Sequence, residues 1–216
     1  MPRTGRPPVT SRAQILTTAR RLIDDDGWEK LTIRRLAGEL GIGPTTLYHH
    51  VRDKEALLLL LLNEYAEQTA PPDLPDDPRE RIVVAARALH DGLAEWPWAA
   101  EVLTVDGFVG RLGAPALRLV EVILDGAVDS GLTREQAVDV FRNIWYYTVG
   151  EILVRARSAR RDVGDWDITF TNFDPERVPT LAAIGERWPA LVARDVYPEG
   201  LRALVGGLIG AARQGD

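Results

Sequence analysis

Two segments with helical spacing of apolar residues lie on either side of the short sequence LGIG, residues 40–43. The first follows Thr32, a residue type that caps helix N-termini well, and the second begins at Pro44, which suits the first helical position. A short glycine-containing turn between two helices is the helix-turn-helix arrangement, whose second helix enters the major groove of DNA. This stretch restricts the N-terminal part of the chain to a small set of helical folds.

Helical spacing of apolar residues continues along almost the whole chain, so we predict an all-α fold. Ser11 and Gln14 form a capping-box signature for a first helix that ends at Gly27. A later helix, from Asp53 to about residue 68, carries six consecutive leucines and is predicted to be buried on every side. After the proline-rich loop at 71–78, further helices are predicted near 78–95, 98–109, 113–130, 133–158, 176–188 and 198–213, with a long surface loop at 158–175.

The two parts of the chain carry opposite net charges. Residues 1–54 contain ten Lys or Arg against six Asp or Glu, whereas residues 55–216 contain sixteen against twenty-six. We therefore predict a three-helix DNA-binding domain over 1–54 and a C-terminal helical bundle domain over 55–216. A basic head on an acidic body is expected when only the head meets a polyanion, and an uneven scatter of surface charge is the alternative.

Composition also bounds the compartment in which the chain works. It has no cysteine, no apolar segment of the kind found in signal peptides at its start, and no apolar run near the roughly 20 residues that a membrane span needs. We expect a cytoplasmic protein without a membrane partner.

The second helix of the pair is predicted to turn Leu47 and Val51 toward the core and its other side chains outward. Outward hydroxyl and imidazole groups near its N-terminus can bond to phosphates or base edges. The start of the preceding helix has free N–H groups that favour an anion. The candidate DNA-contacting residues from these two helices are Thr32, Arg34, Thr45, Thr46, Tyr48 and His49; helix capping and ordinary surface are the alternatives for them.

Lys54 is a further candidate, because a cation in the first turn of a helix opposes the helix dipole. This local cost is explained if the ammonium group faces phosphate. Arg3 and Arg6 form a short basic arm ahead of the first helix, which either enters a minor groove or is a disordered tail.

Four short motifs resemble the TetR family of bacterial repressors over about residues 12–62. They are Leu31-Thr-Ile-Arg-Arg-Leu-Ala, Leu40-Gly-Ile, Leu47-Tyr-His-His-Val and Lys54-Glu-Ala-Leu. The resemblance implies an N-terminal helix-turn-helix, a C-terminal domain for ligand binding and dimerisation, and release of DNA when a small molecule binds. It implies DNA contacts for Thr46, Tyr48, His49 and Lys54, and a base- or phosphate-reading role for Arg34.

The pair His50-Val51 looks closer to the tetracycline-repressor branch of this family. Those repressors use helical histidines to reach a metal bound to the ligand. Beyond residue 50 this chain has only His90, so we predict neither a metal site nor a cofactor.

The acidic body is rich in aromatic residues, as an apolar ligand pocket is, although helix-spaced aromatics also build an ordinary core. The candidate ligand contacts are His90, Trp98, Phe108 and Trp145, and the expected ligand is an apolar small molecule of unknown identity. Gly206 and Gly210 lie four apart in the last predicted helix, where each interior glycine costs about 1 kcal/mol relative to alanine. We predict that they allow close approach in a homodimer that binds a palindromic operator, with fraying of the C-terminus as the alternative.

Enzyme motifs are missing from the sequence. None of the three serines lies in G-x-S-x-G, and there is no P-loop, strand-borne G-x-G-x-x-G or H-E-x-x-H. The adjacent His49 and His50 would point about 100° apart on a helix and make a poor metal pair. A helical enzyme, a DNA-binding dimer without a ligand response and a pure interaction module are the alternative functions.

Overall fold

The structure is a computed structural model and describes residues 10–105, 107–159 and 174–212. These residues form eleven α-helices and no strand, which confirms the predicted all-α class. The helices are α1 (Arg12–Asp26), α2 (Ile33–Glu39), α3 (Pro44–Tyr48), α4 (Lys54–Gln68), α5 (Pro78–Ala94), α6 (Pro97–Val102), α7 (Ala114–Asp129), α8 (Arg134–Ala159), α9 (Pro179–Ile184), α10 (Trp188–Val192) and α11 (Tyr197–Ala212). Short 3₁₀ turns lie at Trp28–Lys30, Phe108–Arg111 and Gly185–Arg187.

The predicted start and end of α1 are confirmed. The Ser11 hydroxyl accepts from the backbone N–H of Gln14 at 3.2 Å, and the Gln14 side chain accepts from the backbone N–H of Ser11 at 2.9 Å. Gly27 ends the helix with φ 89°, a backbone conformation that favours glycine. One face of α1 is buried, at Ile15, Leu16, Ala19, Leu22 and Ile23.

The predicted helix-turn-helix forms from α2 and α3, which pack against each other. The hydroxyl of Thr32 caps α2 by accepting from the backbone N–H of Arg35 at 3.1 Å. Gly41 makes the turn with φ 65°, and α3 starts at Pro44 and buries Leu47 completely. The helix boundaries in this head, α1 to α3, follow from caps and turn residues that lie close together in the sequence.

Helix α4 carries the leucine run. Asp53 caps it by accepting from the backbone N–H of Ala56 at 2.7 Å. This hydrogen bond is the main reason why the pKa of Asp53 is lowered. Five of the six leucines are buried, whereas Leu60 is half-buried. The leucine run is therefore buried on most sides, and the prediction of burial on every side does not hold at Leu60.

The chain divides into two compact units. Of the described residues, the first unit contains 10–73 and 95–121, and the second contains 74–94 and 122–212. The predicted functional division after residue 54 stays a prediction.

In the second unit, α5, α8 and α11 pack against one another. Gly126 in α7 lets this helix approach α5 closely. A Cβ atom at Gly126 would lie 2.7 Å from the Ile82 side chain and 2.8 Å from the Pro78 carbonyl oxygen.

Two of the predicted helices are wrong in extent. Instead of one helix over 98–109, α6 ends at Val102 and a 3₁₀ turn follows Gly107, whose φ is 78°. Instead of one helix over 176–188, α9 ends at Ile184, and Gly185 with φ 50° leads through a 3₁₀ turn into α10. Gly185 ends α9 directly, whereas α6 ends five residues before Gly107 although its apolar pattern continues.

Two predictions concern residues outside the described ranges, namely the basic arm at Arg3 and Arg6 and most of the loop at 158–175. Among the described helices, none is long and apolar enough to cross a membrane.

Candidate nucleic-acid interface

The surface of α3 and its flanks is exposed at every position from Gly43 to His50 except Leu47. The four α3-region candidates therefore face outward as the spacing predicts: Thr45, Thr46, Tyr48 and His49. Tyr48 leaves 53% of its surface exposed. The face offers hydroxyl and imidazole groups together with a phenol ring, and its contact with DNA stays a prediction.

The first turn of α2 adds a cation to this region. Arg34 is exposed and forms no ion pair with any residue that the structure describes. Its neighbour Arg35 is half-buried and pairs with Asp26, and the hydrogen bond from Arg35 lowers the pKa of that carboxyl group. Thr32 uses an oxygen lone pair for capping and keeps its hydroxyl proton available for a phosphate oxygen.

Much of the positive charge of the head is already paired within the first unit. Arg21 pairs with Glu39 at 2.6 Å, Arg52 pairs with Asp53 at 2.9 Å, and Arg20 pairs with Glu64 at 3.1 Å. Within the described part of the head, Arg12 and Arg34 are arginines without such a pair. The count of ten Lys or Arg in residues 1–54 is therefore larger than the number of cations that are free to contact phosphate.

Lys54 has local partners that sequence reasoning missed. Its Nζ donates to the backbone carbonyl of Glu29 at 3.1 Å and lies 4.8 Å from the centroid of the Trp28 ring. Desolvation by burial lowers the pKa of the Lys54 ammonium group. Since an ammonium group has three donors, two remain for a phosphate after the bond to Glu29. The position of Lys54 in the first turn of α4 is thus explained in part by this contact with the 3₁₀ turn after α1.

The other end of α4 meets an aromatic cluster in the same unit. The Tyr65 hydroxyl donates to Glu95 at 2.8 Å, and the Tyr65 ring lies 5.3 Å from the Trp96 ring. Trp96 in turn lies 5.7 Å from Trp98, which is buried. The segment Glu95–Trp98 therefore contacts α4 through side chains far from Lys54.

The four candidate ligand contacts do not all belong to one unit. Trp98 and Phe108 are buried in the first unit, whereas His90 and Trp145 belong to the second. Neither ring nitrogen of His90 is free, because Nε2 lies 2.8 Å from Glu151 and Nδ1 lies 3.0 Å from Asp91. The ligand role of these four residues stays a prediction.

A buried polar cluster joins α8 to α11 in the second unit. The Tyr197 ring stacks on His90 at 3.9 Å and on Tyr147 at 5.3 Å. The Tyr197 hydroxyl, in a side chain only 1% exposed, shares a 2.8 Å hydrogen bond with Thr148. Burial raises the pKa of Tyr197 well above its ordinary value. The apolar pattern of the sequence gave no signal for this cluster.

Both α8 and α11 have faces that the described residues leave uncovered. A Cβ atom at Gly206 or Gly210 would have no heavy atom within 4 Å outside its own helix backbone and chain neighbours. On α8, Val138, Tyr146 and Val154 are 47%, 56% and 66% exposed, and each lies about 80° further round the helix than the one before it. Among the described residues, no group of His, Asp and Glu could hold a metal ion.

Two family models match the chain. The first, bacterial regulatory proteins of the tetR family, matches residues 15–61, and the second, the tetracyclin repressor-like C-terminal domain, matches residues 71–209. The second match alone covers more than half of the chain.

Curated relatives match along nearly the full length. The tetracycline repressor protein class A from transposon 1721 of Escherichia coli is 26% identical over 90% of this chain and 88% of its own. The HTH-type transcriptional repressor DrrR1 of Streptomyces coeruleorubidus is 28% identical over 100% of this chain and 84% of its own. The solved structure of the Streptomyces coelicolor TetR family protein ActR in complex with actinorhodin has the same fold, with a TM-score of 0.78 at 22% identity over 96% of this chain and 99% of that one.

Proposed function

The chain belongs to the TetR family of bacterial regulatory proteins, and from this premise we propose that it is a homodimeric repressor that leaves a palindromic operator when an apolar small molecule binds. As a member of this family it is a DNA-binding transcriptional regulator and not an enzyme. The observation that carries the DNA-binding assignment within the chain is the exposed face of α3, where Leu47 alone is buried. The proposal includes a cytoplasmic location, because a DNA-binding regulator has to meet its operator there.

We assign different roles to the residues of the interface. Thr46 and His49 read base edges, because they lie on the exposed face of α3 and carry groups that hydrogen-bond or make methyl contacts. Thr32, Arg34 and Lys54 hold phosphates, since each offers a donor at the start of a helix. Thr45 and Tyr48 complete the contact surface around them.

Selection of duplexes from a random pool, followed by binding titrations at two salt concentrations, tests this assignment. Affinity should fall steeply with salt through counterion release. Thr46→Ala and His49→Ala should change the selected sequence, whereas Thr17→Ala, an exposed threonine on α1, should leave it unchanged. A wild-type protein without salt-sensitive duplex binding would remove the proposal.

The uncovered faces of α8 and α11 support a two-fold homodimer, in which the second copy packs on both helices. Open space around Gly206 and Gly210 admits a helix at close range, and the exposed side chains of Val138 and Tyr146 on α8 supply apolar contact area. Two-fold symmetry would place the recognition helices about 34–36 Å apart, one turn of DNA.

Sedimentation equilibrium tests the dimer. Gly210→Leu should shift the protein toward monomer, because the new side chain fills the space that the partner helix needs. Ala13→Leu makes a similar addition on the exposed surface of α1 and should leave the dimer intact. A wild-type monomer at micromolar concentration would overturn the dimer assignment.

The ligand assignment rests on the aromatic body and on the relatives. ActR was solved with actinorhodin, and the E. coli relatives are tetracycline repressors, so aromatic polycyclic compounds are the first probes for this chain. A ligand releases DNA only if it favours the conformation that does not bind DNA, and couplings of about 1–3 kcal/mol are typical.

Tryptophan fluorescence in the presence of actinorhodin and of a tetracycline tests binding, and operator titrations with the same compounds test release. The expected result is quenching together with a loss of operator affinity of about 5- to 150-fold. Compounds that quench without changing operator affinity would favour a DNA-binding dimer without a ligand response.

A further inference from the structure

Arg20, in the middle of α1, lies between α4 and the residue that precedes α6. Its Nη2 lies 3.1 Å from the Glu64 carboxylate of α4, and its Cζ lies 5.3 Å from the centroid of the Trp96 ring. Its Nε is buried and has no hydrogen-bond partner among the described residues. The guanidinium group is thus compensated mainly by one carboxylate and one aromatic face.

Helix α4 also contacts Trp96 directly, through Tyr65. Tyr65, the neighbour of Glu64, packs on the Trp96 ring and donates to Glu95. A displacement of the Glu95–Trp96 segment would therefore remove two interactions together, the cation–π contact to Arg20 and the hydrogen bond from Tyr65. Arg20 would then keep only its ion pair with Glu64.

Arg20 and Lys54 fix α4 to the head at two separate points. Lys54 contacts Trp28 and Glu29 at the start of α4, and Glu64 lies ten residues further, about 15 Å along the helix. A pivot of α4 by about 10° around Lys54 would move Glu64 by about 2.6 Å along this lever arm. Such a movement breaks the 3.1 Å hydrogen bond unless the Arg20 and Glu64 side chains change rotamer, so the two contacts together oppose a change in the angle between α4 and α1.

We propose that Arg20 is a positioning residue, which together with Glu64 and Trp96 forms a latch that holds the head in its DNA-binding orientation. Displacement of Trp96 opens the latch and lets α4 pivot about Lys54. The inference rests on the proposed ligand-responsive function and extends it, because it names the contact through which the segment before α6 controls α1.

The latch differs from a simple packing contact in that the effects of its two substitutions are not additive. It requires a cation at position 20 and an aromatic face at position 96, and either one alone has no effect on α1. Arg20→Gln and Trp96→Leu should each lower operator affinity about fivefold or more, and the double variant should be no worse than either single variant. Trp96→Phe keeps an aromatic face and should stay within about twofold of wild type.

Arg21→Gln is the matched control, because it removes the same charge from the next residue of α1. Arg21 is exposed and pairs with Glu39, without contact to Trp96. The loss of operator affinity in Arg21→Gln measures the effect of removing one positive charge from α1. The loss in Arg20→Gln has to be larger than this.

Hydrogen–deuterium exchange of the free protein provides a second readout without DNA or ligand. Arg20→Gln and Trp96→Leu should raise exchange in α1 and in the last turns of α4 about fivefold, whereas Trp96→Phe and Arg21→Gln should not. Unchanged exchange in α1 of Trp96→Leu would overturn the latch, and so would fully additive effects of Arg20→Gln and Trp96→Leu on affinity. If the wild type binds no duplex, the proposed function fails, and the exchange result alone supports or overturns the latch.

Discussion

Lys54→Met separates two roles of one ammonium group. The methionine keeps most of the apolar stem beside Trp28 but removes the charge and the donor to Glu29. A hydrogen bond from a charged donor contributes about 1.5–3 kcal/mol and an exposed cation–π contact about 0.5–1 kcal/mol, while desolvation of the ammonium opposes both. We expect the free energy of unfolding to fall by about 1 kcal/mol after this opposing contribution is included.

The DNA measurement tests the two donors that remain for phosphate. The slope of log affinity against log salt should become shallower by about 0.9, the share of one phosphate contact on duplex DNA. Fluorescence anisotropy on the selected duplex, between about 50 and 200 mM salt, gives this slope. Lys30→Met removes the same charge from the only other lysine, which is exposed, and should change the slope by less than half as much.

A constant loss of affinity at every salt concentration would refute the phosphate role. Lys54 would then act only by holding α4 against Trp28 and Glu29. In that case the unfolding measurement would still show the loss of about 1 kcal/mol.

Three further predictions concern stability and are measured by urea unfolding. Tyr197→Phe and Thr148→Val should each cost about 1–3 kcal/mol, and the double variant should cost less than their sum, because it leaves no buried hydroxyl unpaired. Because the pKa of Tyr197 is raised in the folded state, the stabilisation by its neutral hydroxyl is complete below the ordinary tyrosine value of about 10 and is lost as pH rises further. Tyr197→Phe should therefore lose less unfolding free energy than the wild type when the pH is raised above about 10. Asp53→Ala should lower the unfolding free energy by about 1 kcal/mol at neutral pH, whereas Asp53→Asn should preserve the cap of α4. The wild type should lose the stabilisation by the Asp53 carboxylate as pH falls through its lowered pKa, and Asp53→Asn should not show this loss. Gly126→Ala should destabilise by about 1–3 kcal/mol through overlap with α5, and its control Gly38→Ala, in open space on α2, should stabilise by about 0.5–1 kcal/mol.

The helical class, the helix-turn-helix and the exposed candidates on α3 could all be predicted from the sequence. Their signals act over a few residues: the caps at Ser11, Thr32 and Asp53 each accept from a backbone N–H three positions later. Burial of Leu47 follows from helical periodicity alone. A pattern of such short range is complete in the sequence, because the backbone geometry of a helix fixes which neighbours meet.

The electrostatic environment of the candidate residues was decided by tertiary packing. Lys54 meets a carbonyl 25 residues away, Arg20 meets Glu64 across 44 residues, and His90 meets Glu151 across 61. No periodicity links such pairs, and their existence depends on which helix faces pack together. The apolar pattern also continued beyond Val102 and Ile184, so the ends of α6 and α9 were wrong in the sequence-based expectation. The sequence by itself determined the elements and their exposed faces, whereas the pairing of charges between elements required the folded chain, since a side chain finds a distant partner only after the backbone brings both together.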